Sequence, residues 1–128
     1  MAALDRTKVY REFAAAVNMS AAELEAWLAG EESRRVGWTR PGEAESVGRA
    51  AGREIVRILG TAPLALDEAD YRLMREAAGV VRRHLAQRPD NIVTSRWRYA
   101  LMNWGHDPLK EQAEAGHDND PCDGATRG

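Results

Sequence analysis

Apolar residues recur at three- and four-residue spacing over much of the chain, which is the pattern of amphipathic helices. Residues 5–17 form the first such segment, with Val9, Phe13 and Val17 on one side. Residues 20–29 form the second, where Ser20 and Glu23 have the spacing of a capping box at a helix start. The two segments predict a helical hairpin at the beginning of the chain.

Two longer helices are predicted further along the sequence. The first covers residues 46–59, where Gly48 and Gly52 lie one turn apart. Because glycine weakens a helix, this pair indicates that another helix approaches closely. The second has Asp67 as a suitable N-cap and ends shortly before Pro89, which cannot continue a helix.

The stretch from residue 80 to residue 110 combines two of the four tryptophans with many arginines. It predicts the end of the long helix, a tight connection and a short C-terminal helix that Gly105 ends. Either Thr94 or Ser95 caps this last helix. Its predicted inward-facing residues are Trp97, Leu101 and Trp104. No segment alternates as a strand does, so the predicted fold class is an all-α bundle of about five helices.

Residues 31–45 show no sustained period and contain two glycines and a proline, which predicts a surface loop. This loop also carries arginines on both sides of Trp38, namely Arg34, Arg35 and Arg40. We favour an arrangement in which Trp38 folds back over the core as a lid. The alternative is a ligand-contacting loop, since an aromatic ring can stack while neighbouring guanidinium groups pair with phosphate.

Charge and composition divide the 128 residues into a helical domain, residues 1–110, and a disordered acidic tail, residues 111–128. The tail holds five acidic residues and one basic residue, whereas residues 46–110 hold eleven basic and seven acidic residues. The only cysteine, Cys122, lies in the tail, which argues against a disulfide framework. Neither a signal segment nor a membrane span is apparent, so we expect a cytoplasmic protein.

Two stripes of arginine are the candidate nucleic-acid-binding residues. If the helices that carry them pack through their apolar faces, both stripes point outward and can contact phosphate oxygens. Glu54, Glu76 and their neighbours can instead pair with these arginines on an ordinary solvated surface. Clustering without acidic partners would favour DNA, and pairing or dispersal would favour a protein partner. The candidates, with two from the loop, are Arg34, Arg35, Arg49, Arg53, Arg57, Arg72, Arg75, Arg82 and Arg83.

No catalytic motif is present in the sequence. His84, Ser95 and Asp107 are the residue types of a catalytic triad, but we expect His84 to be a hydrogen-bonded core residue. We expect His106 to cap helix carbonyl groups. A metal site needs three or four convergent ligands, and the further candidates are His117 and the tail carboxylates. We therefore predict no enzymatic activity, no metal ion and no cofactor.

Four strings carry a resemblance to a known family: VNMSAAELEAWL, ESVGRAAGREIVRIL, VVRRHLAQRPDN and SRWRYALMNWGHDPLK. They resemble a small domain of bacteria and fungi, domain of unknown function 3140, over residues 5–110. Its members are often described as DNA-binding proteins. The resemblance therefore implies DNA binding, and it transfers no site residue.

The combined expectation is a non-enzymatic DNA-binding protein that contacts the phosphate backbone with little base readout. The acidic tail would then compete with DNA for the basic face. The alternative is a helical protein–protein interaction or stress-associated module without nucleic-acid activity, using the Trp38 loop or an apolar groove. The oligomeric state stays open.

Overall fold

The computed structural model describes residues 4–110, which are helical and contain no strand within that range. The prediction of an all-α fold is therefore confirmed, and the five predicted helices are present. A one-turn helix adds to them within the predicted loop, and a 3-10 turn, Pro63–Ala65, precedes the longest helix. The helices with both ends within residues 4–110 are α1 (Arg6–Ala16), α2 (Ala21–Leu28), α3 (Glu31–Arg34), α4 (Val47–Leu59), α5 (Glu68–Leu85) and α6 (Arg96–Asn103), and residues 108–110 are helical as well.

Local side chains define where the helices begin. The predicted capping box at α2 is present, because Ser20 accepts from the Glu23 N–H and Glu23 accepts from the Ser20 N–H. Asp67 caps α5 as predicted, because its carboxylate accepts from the Asp70 N–H, and the Asp70 carboxylate accepts from the Asp67 N–H. For α6 the cap is Ser95, whose hydroxyl accepts from the backbone N–H of residue 98.

The helices pack as two pairs that α6 joins. α1 packs along α5, α2 packs along α4, and α6 contacts α2, α3, α4 and α5. Leu101 of α6 is 1% exposed and Trp104 lies at the buried end of that helix, as predicted, while Trp97 is half-buried at the edge. Among the largest fully buried apolar side chains are Leu24, Ile55, Met74, Val81 and Leu101.

The close approach predicted from two glycines of α4 occurs between α4 and the end of α6. A Cβ on Gly52 would lie 2.4 Å from the Asn103 carbonyl oxygen, and one on Gly48 would lie 3.0 Å from Trp104 Nε1. A backbone oxygen cannot yield as a flexible side chain can. Gly52 therefore sets the distance between the two helices.

The segment 31–45 differs from the predicted loop. Its first residues form α3, and Val36 is buried where the lid residue was expected. Gly37 has a φ of +96°, which turns the chain outward immediately after Val36. Trp38 is consequently 66% exposed, so the prediction that it covers the core is wrong.

The chain segment after α6 is joined to the segment after α1 by a set of hydrogen bonds that we call the C-terminal junction. Its residues are Asn18, Gly105, His106 and Asp107. The Gly105 carbonyl oxygen accepts from two consecutive backbone N–H groups, those of residues 18 and 19, both at 3.1 Å. The Asn18 amide donates to the Asp107 carbonyl oxygen at 3.0 Å and accepts from the Asp107 N–H at 2.8 Å. The segment that connects α1 to α2 is thereby held to the segment that follows α6.

None of the helices within residues 4–110 is long and apolar enough to cross a membrane. The predicted disordered tail, including Cys122 and His117, lies outside the described residues.

Candidate nucleic-acid interface

Arg49 does not point outward, so this part of the predicted stripe is wrong. The residue is 8% exposed and its guanidinium group is enclosed by α2, α3 and the segment before α4. It donates to the Leu28 carbonyl oxygen at 2.6 Å, to the Ser33 hydroxyl at 3.1 Å and to the Glu45 carboxylate at 2.8 Å. Arg49 thus caps the C-terminal end of α2, because it satisfies a carbonyl that no later residue of the helix can reach.

A buried polar network continues from this arginine to α6. The Ser33 hydroxyl donates to Asn103 Oδ1 at 2.6 Å, and the Trp27 indole N–H donates to the same oxygen at 2.8 Å. The Asn103 amide in turn donates to the Ser33 carbonyl oxygen at 3.3 Å. Asn103, which is 1% exposed, therefore satisfies polar groups of α2 and α3 at once.

The remaining arginines of α4 are exposed but carry acidic partners. Arg53 forms a two-point contact with Glu45, with its Nη2 2.7 Å from Oε2. This hydrogen bond, together with the charge of Arg49, holds the pKa of the Glu45 carboxyl below its ordinary value. Arg57 pairs with Glu54, the predicted partner, and with Asp70 of α5. The α4 stripe is thus an ion-paired surface.

The contact between Arg57 and Asp70 joins α4 to α5. Hydrogen bonds from Arg57 and from the Asp67 N–H lower the pKa of the buried Asp70 carboxyl below 3.8, and the same contact raises the pKa of Arg57. A carboxyl group with a lowered folded-state pKa stabilises the protein above its unfolded-state pKa. This contribution is lost as the pH falls through the lower, folded-state value.

We expect Asp70→Asn to be less stable than the wild type at pH 7, with a difference that shrinks as the pH falls below 3.8. Urea unfolding of both proteins at pH 7, 5, 4 and 3 measures this difference. Glu76→Gln, which removes an exposed carboxyl group without an ion pair in residues 4–110, provides the comparison. A difference between wild type and Asp70→Asn that stays constant across this range would contradict the role assigned to the pair.

The two candidate arginines of the segment after α2 have different surroundings. Arg35 is exposed and pairs with Glu31 at 3.0 Å. Arg34 has no acidic partner among residues 4–110 and borders a cleft between α2 and α4, beside Arg53. Only Arg34 of these two therefore keeps an uncompensated charge within the described part of the chain.

The exposed face of α5 contains the arginines without acidic partners. Arg72 pairs with Glu68 at 2.9 Å. By contrast, Arg75, Arg82 and Arg83 form no ion pair within residues 4–110, and the expected partner Glu76 forms no hydrogen bond or ion pair with them. We call these three residues the α5 basic surface.

Gly79 brings two guanidinium groups of this surface together. Arg83 Nη1 and Arg82 Nη2 lie 3.1 Å and 3.9 Å from the position that a Cβ on Gly79 would occupy. Both side chains therefore fold over the bare helix backbone at this point. Two positively charged guanidinium groups this close together repel each other, and a nearby anion would offset the repulsion.

The C-terminal end of α5 is closed by an aromatic stack. The ring of His84 lies parallel to that of Trp97 with centroids 5.8 Å apart, and the Arg88 guanidinium lies 5.8 Å from the Trp97 ring centre. The Trp97 indole N–H donates to the His84 carbonyl oxygen at 2.8 Å. The prediction that His84 is hydrogen-bonded is confirmed, since its Nε2 is 3.1 Å from the Trp97 carbonyl oxygen, but the residue is only half-buried and does not belong to the core.

The three residue types of a catalytic triad are not brought together. The Ser95 hydroxyl donates to the Ile92 carbonyl oxygen, and Asp107 accepts both bonds of an Arg98 fork. His84 bonds to Trp97 and forms no hydrogen bond with Ser95 or Asp107. Within residues 4–110 no three potential metal ligands converge.

His106 caps a helix carbonyl, as predicted, although the carbonyl belongs to another helix. Its Nδ1 lies 2.6 Å from the carbonyl oxygen of Ala16, the last residue of α1. The same side chain is 2% exposed.

Comparison with protein families identifies one match. The sequence model of a family described as "Protein of unknown function (DUF3140)" matches residues 12–102. The chain belongs to this family. No curated protein and no solved structure is significantly similar to it. The matched range of this DUF3140 domain includes α2 to α5 and most of α1 and α6.

The structure of the DUF3140 domain separates the predicted candidates into two groups. The α4 stripe borders a cleft beside α2, whereas Arg82 borders a groove beside α1, so the stripes face different neighbours. Sequence reasoning did not identify Gly79 as the position over which two arginines fold. The glycine itself, which lies between Arg75 and Arg82 on the same helix and has no side chain, is the signal that could have indicated this position.

Proposed function

We propose that this DUF3140 domain is a non-enzymatic protein that binds the phosphate backbone of DNA through the α5 basic surface. The observation that carries the proposal is the pair of guanidinium groups folded over Gly79 without an acidic partner in residues 4–110. Arg75 adds a third charge two helical turns before Arg82, which is a separation of about 10 Å along the helix. Guanidinium groups bind phosphate oxygens through paired N–H donors.

The ion pairs of α4 limit the size of the proposed interface. Arg53, Arg57 and Arg72 would have to give up carboxylate partners before binding phosphate. Arg49 would have to leave the interior. We therefore expect about three phosphate contacts, little base readout and an affinity that depends strongly on salt.

Fluorescence anisotropy of a labelled DNA duplex tests this proposal across a series of salt concentrations. For the full chain we expect log Kd to rise linearly with log salt concentration, with a slope of about 2.7 for three phosphate contacts. Replacing Arg75, Arg82 and Arg83 by glutamine should weaken binding at low salt at least tenfold and remove most of this slope.

The matched control removes the same number of charges from ion-paired positions. Arg35, Arg53 and Arg72 are each exposed and each bonded to a carboxylate, so their replacement by glutamine should change binding much less. Equal losses in both triple variants would mean that only net charge matters. Absence of binding by the full chain at low salt would overturn the proposal.

The acidic tail is proposed as an intramolecular competitor for this surface, because residues 111–128 carry five acidic residues and one basic residue. Replacing those five acids by the corresponding amides in the full chain should tighten DNA binding in the same titration. Unchanged affinity would remove the tail from the proposal and leave the α5 basic surface in place.

A protein partner is the second candidate function, and two observations favour it. The α4 stripe is paired with acids, and Trp38 is 66% exposed in a segment that turns away from the core. Exposed aromatic residues beside arginine are frequent contributors to protein interfaces. Failure of the DNA titration would make the Trp38 segment the first surface to examine.

A further inference from the structure

A groove of about 550 Å³ lies between α1 and the 3-10 turn that precedes α5. One face of α1 forms its longer wall, and Pro63 of the turn and Tyr71 of α5 complete it. The lining is mostly aromatic and aliphatic, and its charged members are two arginines with no acidic residue among them. The α1 residues that line the groove are Arg6, Thr7, Tyr10, Arg11 and Ala14.

The surface around this groove exposes an unusual amount of apolar side chain. Leu64, next to Pro63 in the turn, is 101% exposed, so its whole side chain projects into solvent. Residues 62–65 are all apolar and all exposed. Three of the five large apolar side chains that are exposed within residues 4–110 belong to this one face, which we call the α1–turn face. They are Tyr10, Leu59 and Leu64. Clustered exposed apolar residues mark interaction sites, whereas single ones do not.

The charges on the α1–turn face form two separate groups. Arg6 and Arg11 form no ion pair within residues 4–110, and the Arg6 guanidinium lies 4.9 Å from the centre of the Tyr71 ring. The apolar turn leads instead into Asp67, whose exposed carboxylate caps α5 and pairs with no cation in the described part of the chain. A projecting leucine therefore lies beside an acid, and a recess lies beside two arginines. Two copies of such a face are complementary in both shape and charge.

We propose that the α1–turn face binds a second copy of this chain in a two-fold symmetric dimer. In such a dimer each feature of one copy lies opposite the complementary feature of the other. Leu64 of each copy enters the groove of the other, where Asp67 faces Arg6 and Arg11. A peptide of another sequence would fill the groove but leave Leu64 exposed, whereas a second copy covers both. This inference does not depend on DNA binding.

Sedimentation velocity of the full chain over a series of concentrations tests the proposal. We expect a reversible equilibrium between monomer and dimer with a Kd of about 10 µM, since the contact centres on one leucine per copy. Leu64→Gln should raise this Kd at least about tenfold, because a polar amide would then enter an apolar groove. Since Leu64 is fully exposed in the monomer, the variant should keep the wild-type circular dichroism spectrum.

Val93→Gln is the matched control for this substitution. Val93 is 53% exposed and follows the C-terminal end of α5, whereas Leu64 precedes the N-terminal end of that helix. The helix has 18 residues and is therefore about 27 Å long, so Val93 lies far from the α1–turn face. This variant should keep the wild-type Kd.

Two charge reversals on α1 test the part played by the arginines. Arg11→Glu places a carboxylate opposite Asp67 and should raise the Kd at least about tenfold. Lys8→Glu makes the same change in charge on the same helix, but Lys8 is exposed and does not line the groove. Its effect on the Kd should stay below about twofold. None of these variants alters the α5 basic surface, so their effects are distinct from a loss of DNA binding.

Three results would overturn the proposal. The full chain might remain monomeric at about ten times the expected Kd, which would leave the groove to a partner of another sequence. The second is a dimer whose Kd is the same for Leu64→Gln as for the wild type, or is raised equally by Val93→Gln. The third is an equal effect of Arg11→Glu and Lys8→Glu.

Discussion

Replacing Asn103 by alanine is expected to lower the free energy of unfolding by about 3 kcal/mol. The substitution removes the acceptor of the Trp27 indole N–H and of the Ser33 hydroxyl, and the donor to the Ser33 carbonyl oxygen. Because Asn103 is 1% exposed, water does not replace these bonds unless the site opens. A domain of this size is stable by only about 5–15 kcal/mol, so the loss is a large share of the total.

Urea unfolding followed by circular dichroism measures this change. Asn91→Ala is the matched control, because Asn91 is exposed and its replacement should alter the free energy of unfolding by less than about 0.5 kcal/mol. If Asn103→Ala were as stable as this control, the buried network would not hold α6 to α2 and α3.

Gly52→Ala is expected to destabilise the domain by about 2 kcal/mol, although alanine is the better helix former. The added Cβ would lie 2.4 Å from the Asn103 carbonyl oxygen and 3.0 Å from Leu28 Cδ2. The gain in helix propensity is about 1 kcal/mol, so overpacking must exceed it for the net loss that we expect. Thermal unfolding of the variant beside the wild type checks the sign.

The same substitution at Gly79 should act in the opposite direction. There the new Cβ meets only the ends of the Arg82 and Arg83 side chains, which can move into solvent. We expect Gly79→Ala to stabilise the domain by about 0.5–1 kcal/mol through helix propensity. Destabilisation by both substitutions to the same extent would contradict the close approach of α4 and α6.

The helices could be predicted because their signals are local. Ser20, Glu23 and Asp67 act on backbone groups within three residues, so their spacing alone indicates a helix start. The glycine pair in α4 was equally informative, since glycine inside a helix needs a packing reason. The sequence did not reveal that the Asn103 carbonyl was the group in contact with Gly52.

The orientation of Arg49 could not be predicted from its helical period. Positions 49, 53 and 57 share one face of α4, but α3 covers only the first of them. Whether an arginine on an amphipathic helix is exposed to solvent therefore depends on the elements that pack beside it. For Arg49 that element is α3, which lies in the segment predicted to be a loop. The exposure of Trp38 also depends on its neighbours, because Val36 is buried and the positive φ of Gly37 turns the chain outward after it.

Part of the candidate site could be predicted from the sequence. The arginines of α5 were predicted to point outward, and Arg75, Arg82 and Arg83 do so. Their freedom from acidic partners within residues 4–110 depends on rotamers and distances that spacing does not give. His106 was expected to cap carbonyl groups, but the sequence did not indicate that the carbonyl group belongs to Ala16 at the end of α1.

The C-terminal junction has a consequence for how the chain folds during synthesis. Its amide pair connects residues 89 positions apart, and the bonds of Asn103 span 70 and 76 positions. The earlier helices leave the ribosome before the segment that completes their packing, and contacts of such long sequence separation form slowly. The contacts of α1 with α5 and of α2 with α6 can therefore form only after most of the domain has left the ribosome.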